Sequence, residues 1–157
     1  MRRLLFCLLL ICACAPPDAG RYQAIIGALL IDGTGAAPTP ISVVVTDGAR
    51  IRAAGHQAHT PIPAGARKIR AEGKCLLPAL VDRATRRPLA VSLEGHATVV
   101  EAIAAATRAH ATPIAPGEPA DLMLVAGNPL EDPESLKKPE RLMLGGNWVD
   151  VNPGAGQ

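Results

Sequence analysis

Two histidines three residues apart, His56 and His59 in the stretch HQAH, are the nearest this sequence comes to a metal-ligand pair. They sit in a proline-flanked loop with no third ligand close by in sequence, and His96 and His110 stand alone. A structural zinc site takes four ligands and a catalytic one at least three, so all four read as exposed polar histidines and no metal is assigned to them. Ser92 and Ser135 have no neighbouring base to suggest a nucleophilic triad. The patterns G-x-S-x-G and H-E-x-x-H do not occur. Gly33-Thr34-Gly35 places Pro38 where a dinucleotide loop needs its third glycine, and a turn between strands explains both glycines. No catalytic residue emerges from this set.

The cysteines suggest a different chemistry. Met1-Arg2-Arg3 followed by the apolar run 4–11 has the form of an export signal. That run is too short to span ~30 Å of hydrocarbon, which takes about 20 residues. Ile11-Cys12-Ala13-Cys14 resembles a bacterial lipobox: an aliphatic residue, a small residue directly before the cysteine, then the cysteine that is acylated. Cys12 is a less usual occupant of its position, but a cut after Ala15 would leave Pro16 just past the scissile bond. Residues 1–13 are therefore expected to be a signal peptide and residues 14–21 a tether. Cys14 is expected to be lipidated, contacting membrane lipid, with the chain on the periplasm-facing outer membrane. Cys7 and Cys12 then leave with the leader. Cys75 remains alone, without a disulfide partner, and in the run Cys75-Leu76-Leu77 it reads as an inert buried thiol.

The 157 residues suit one domain, and hydrophobic residues at 48% support a packed core. Taking Arg2 and Arg3 from the 16 basic residues leaves 14 against 14 acidic ones. A net charge of zero removes the electrostatic case for nucleic acid. Tyr22 and Trp148 are the aromatics left after Phe6 goes with the leader, too few for a base-stacking platform.

The elements that would position these residues are mostly short strands. Residues 22–31 read as one strand closed by the turn 32–35, and 41–46 and 50–54 as a hairpin about Asp47-Gly48. Residues 66–71 and 74–77 complete a dense antiparallel pattern. Residues 98–109 read as a helix, with Thr98 as cap, Glu101 closing a capping box, and Val99, Ile103 and Ala106 on one face. Residues 121–126 read as a strand and 127–133 as a turn region. Strands 141–144 and 148–151 flank Gly145-Gly146-Asn147.

Five stretches in order, ALLIDGTG (28–35), VVVTDGARIRAAG (43–55), IPAGARKIRAEGKCLLPALVD (62–82), PGEPADLMLVAGNPLEDP (116–133) and LMLGGNWVD (142–150), resemble the metal-dependent amidohydrolases, nearest the imidazolonepropionase-like and prolidase-like subgroup. The resemblance covers most of residues 24–82 and 98–150. It implies a mainly β fold: a small β-sandwich built from both chain ends, residues 22–80 and 113–151, with a flexible tail at 152–157. It also implies an inserted (β/α)8 barrel that carries zinc or another divalent metal. Such a barrel takes ~250 residues, whereas residues 81–112 supply 32. That segment reads as a truncated remnant with one residual barrel helix. The resemblance places two metal-binding histidines at positions occupied here by Ala84 and Arg86. Alanine has no ligating atom, and Arg86 is a permanent cation.

Three functions follow as expectations. The first is a truncated amidohydrolase-like lipoprotein without activity, the metal-binding barrel and its cofactor being absent. The second is the family activity, metal-dependent hydrolysis of non-peptide or dipeptide C–N bonds. The third is a binding or assembly module that uses the face normally packed on the barrel, for self-association or a protein partner.

Overall fold

A computed structural model describes residues 20–151. The signal peptide 1–13, Cys14, most of the tether and the tail 152–157 lie outside the described residues. The strands are β1 (Tyr22–Ile26), β2 (Leu29–Leu30), β3 (Ser42–Asp47), β4 (Arg50–His56), β5 (Arg67–Arg70), β6 (Lys74–Pro78), β7 (Leu122–Ala126), β8 (Pro139–Leu144) and β9 (Asn147–Val149). One α-helix, α1 (Val99–His110), falls between β6 and β7. The strands form a four-stranded sheet in the order β4-β3-β1-β5 and a five-stranded sheet in the order β2-β6-β7-β8-β9. The fold is mainly β, a small sandwich, as the resemblance implies.

Residues 22–31 are two strands rather than the single one expected. Gly27, at φ +88°, turns the chain at a corner, and Leu29–Leu30 continue in the other sheet. The same happens at residues 71–73, between β5 and β6. β5 lies parallel to β1 and β6 parallel to β2, so the antiparallel pattern expected here is corrected to two mixed sheets. Side chains alternate with a period of two in either direction, so local spacing carries no sign of strand polarity.

Ile25, Val44 and Ile69 of one sheet meet Leu76, Leu124 and Met143 of the other in the central core. On the far side of the five-stranded sheet, Cys75, Leu77, Met123 and Leu142 pack against Ile103 of α1 and Leu80. β6 and β7 are therefore covered on both faces, which is why their sequences are continuous apolar runs instead of alternating ones.

The helix spans 99–110 where 98–109 was expected, with Thr98 as its cap: Thr98 Oγ1 accepts from Glu101 N at 3.2 Å. Glu101 Oε2 reaches back one residue further than a capping box requires, accepting from Ala97 N at 2.9 Å. The Val99/Ile103/Ala106 stripe does face the sheet. α1 also presses on the turn after β2, where a Cβ at Gly33 would come within 2.7 Å of Pro78 Cγ and Thr107 Oγ1. The turn region after β7 continues into a short 3-10 turn, Pro133–Lys137, that buries Leu136.

Candidate functional site

β6 delivers the chain to the place where the resemblance puts paired metal ligands. There it doubles back. Val81 bridges Pro88, Asp82 N donates to Arg87 O at 2.9 Å, and Leu89 N donates to Leu80 O at 2.9 Å. The turn is organised by one side chain: Asp82 Oδ1 accepts from Thr85 N at 2.6 Å, Thr85 Oγ1 at 2.8 Å and Ala84 N at 3.0 Å. The Thr85 amide, then its hydroxyl, and the Ala84 amide hold the Asp82 carboxyl below the usual carboxylate range. Arg86 takes φ +56°, a conformation costly for a side chain of its size. Ala84 is exposed and offers only a methyl group, and the guanidinium of Arg86 would repel a cation. The residues present at this position do not fit a divalent metal.

The neighbouring Arg83 does have a partner. Its guanidinium pairs with Asp121, whose side chain is only 6% exposed, and the other carboxylate oxygen accepts from Gly145 N at 2.7 Å. The turn after β6, the start of β7 and the end of β8 are thereby tied through one buried carboxylate. Asp121 was not among the residues singled out from sequence; its one signal was a lone acid at the head of the apolar run DLMLVA. Asp121→Ala leaves the Gly145 amide and Arg83 without their acceptor and should lower stability by about 1–3 kcal/mol in urea unfolding. Asp121→Asn, which keeps an oxygen for Gly145, should cost less.

The four histidines are not assembled. The His56 and His59 rings lie 6.1 Å apart, and His56 Nδ1 accepts from Ala58 N at 3.2 Å. His56 is half-buried, while His59, His96 and His110 are exposed. Among the described residues no group of three or more His, Cys, Asp or Glu is placed to hold a metal ion. Both serines serve turns: Ser92 Oγ accepts from Glu94 N at 3.2 Å, and Ser135 Oγ donates to Asp132 O at 2.7 Å. Gly33-Thr34-Gly35 is a turn too, with Asp32 Oδ1 accepting from Thr34 N at 2.8 Å. Cys75 is buried, and desolvation pushes its thiol up to about 12, which suppresses the reactive thiolate. Among the described residues no helix is long and apolar enough to cross a membrane.

No family model matches the sequence, and no curated protein matches it. Solved structures match in part. Molinate hydrolase is 40% identical over 41% of this chain and 14% of its own, with a TM-score of 0.35. Phenylurea hydrolase B is 26% identical over 54% of this chain and 18% of its own, with a TM-score of 0.36. D-aminoacylase, described as defining a subset of amidohydrolases, is 32% identical over 38% of this chain and 12% of its own, with a TM-score of 0.31. The chain spans less than a fifth of the length of each of these three.

Proposed function

We propose that this chain is the sandwich of an amidohydrolase-type protein without its barrel, held at a bacterial membrane by an acylated Cys14 and hydrolysing nothing by itself. One observation carries the reading. Where two histidines would begin a metal site, the chain has Ala84 and Arg86 and closes into a turn around Asp82. Hydrolysis of the family's kind needs a metal-activated water and a polarised carbonyl. Neither residue supplies a donor for such a metal, and 32 residues between the two parts of the sandwich are too few for a barrel of ~250.

The purified chain should hold no stoichiometric zinc by elemental analysis and should not hydrolyse dipeptides or cyclic amides with any added divalent metal. One mole of tightly bound zinc per chain, with turnover abolished by a chelator, would overturn the reading and favour the family activity instead.

A further inference from the structure

We propose that the outer face of the four-stranded sheet, around Tyr22, docks on the anionic lipid surface to which the chain is tethered. This rests on the acylation of Cys14 proposed above. Charge is sorted along the molecule even though the residues after the leader balance. Residues 21–72 carry six cations (Arg21, Arg50, Arg52, Arg67, Lys68 and Arg70) against three acids, whereas residues 116–151 carry seven acids against three cations.

The fold gathers most of those cations together. β5 pairs with β1 so that Lys68 lies beside Ala24 and Arg70 beside Ile26, on the outward face of the sheet. The Arg52 and Arg21 guanidiniums lie 5.2 and 5.5 Å from the Tyr22 ring centroid. Asp47 answers Arg21, and Glu72 stands 3.9 Å from Arg70. Among the described residues Lys68 is exposed and has no acidic partner. A cationic face with an aromatic ring at its centre suits a headgroup surface, where the ring has an apolar body and a polar tip.

The tether points the same way. The chain enters β1 at Arg21 and Tyr22, inside this patch. The stretch 15–20 lets Cys14 lie at most about 25 Å from Arg21 when extended. An acyl anchor at Cys14 therefore holds this face near the headgroups.

The test uses the acylated chain purified from membranes and reconstituted in vesicles of phosphatidylcholine, alone or mixed with phosphatidylglycerol. Amine labelling of Lys68 is read against that of Lys138, which is exposed in the acidic part. The Lys68/Lys138 labelling ratio should fall about tenfold in the anionic vesicles relative to the neutral ones. High salt, or the pair Arg52→Glu and Arg70→Glu, should restore it while the chain stays bound. Equal ratios in the two vesicles overturn the docking surface. The mass of the N-terminal peptide reports acylation separately. A chain without the acyl group refutes the anchor, yet it should still sediment with anionic vesicles at low salt and not with neutral ones; failure there overturns the docking surface too.

Discussion

Replacing Gly146 by alanine is expected to lower the melting temperature by roughly 10–15 °C, or to abolish the transition. Gly146 sits at φ +78°, and a Cβ built there would stand 1.9 Å from the carbonyl oxygen of Gly48 and 2.7 Å from its carbon. Both are backbone atoms, so no rotamer change relieves the clash. The contact joins the tip of the β3–β4 hairpin to the tip of the β8–β9 hairpin, one from each sheet. Around it run three further bonds. Gly146 N donates to Ala120 O at 3.0 Å, Gln23 Nε2 donates to Gly146 O at 2.7 Å, and Trp148 Nε1 donates to Gln23 Oε1 at 2.9 Å. Moving the tip weakens all of them. Strain of about 1–3 kcal/mol for the backbone and about 1 kcal/mol for each lost bond reach a large part of a total stability of about 5–15 kcal/mol. At about 2–4 °C per kcal/mol for a chain of this size, the shift follows. Gly145→Ala is the control: its φ is +55° and nothing lies within 4 Å of its added Cβ, so the cost should be about 1 kcal/mol. A Gly146→Ala protein melting with the parent would mean that the hairpin tips do not touch.

Cutting the chain between β6 and β7 should abolish folding of both pieces. β6 and β7 pair antiparallel in the interior of the five-stranded sheet, with Cys75 opposite Val125, Leu76 opposite Leu124 and Leu77 opposite Met123. Leu76 and Leu124 then fill the core between the sheets, while Leu77 and Met123 fill the layer under α1. Either piece alone leaves one of these strands with an open ladder and two apolar faces in water. Residues 21–80 keep the four-stranded sheet but lose β7–β9 of the sheet that covers its inner face, and residues 81–157 keep three strands, marginal at best alone. Residues 21–80 and 81–157, expressed separately, should show no cooperative unfolding by circular dichroism and should regain sheet signal on mixing. A cooperative transition in residues 21–80 alone would refute a shared core.

Where local chemistry decides structure, the sequence was readable. Asp47-Gly48 announced the β3–β4 hairpin, Gly145-Gly146 the β8–β9 hairpin, and Thr98 with Glu101 the start of α1. What escaped reading depends on residues far apart in the chain. The corner at Gly27 lies inside the apolar run AIIGALLI, whose burial on both sides of the turn hides the change of sheet. The parallel pairings β1–β5 and β2–β6 leave no local mark. At the candidate site, that Ala84 and Arg86 offer a divalent metal no donor follows from side-chain chemistry alone. The Asp121 tie to Arg83 and Gly145 does not, since its partners lie 38 and 24 residues away. The 3-10 turn is signalled locally by Asp132-Pro133, an acceptor followed by proline at the first helical position, at the end of the expected turn region 127–133.

The helix is fastened differently from the strands. α1 shares no ladder with either sheet and is held by Val99, Ile103 and Ala106 against the five-stranded sheet, with Ile114 N donating to Asp32 O at 2.8 Å just beyond its end. A layer held by side chains opens at a lower free energy than the whole molecule. In that opened form Leu77, Met123 and Leu142 lose their cover while the core between the sheets stays closed, leaving an apolar strip of the kind that drives chains together. The time for which a concentrated solution of this protein stays clear is therefore set by how often one helix lifts, well below the temperature at which the sheets melt.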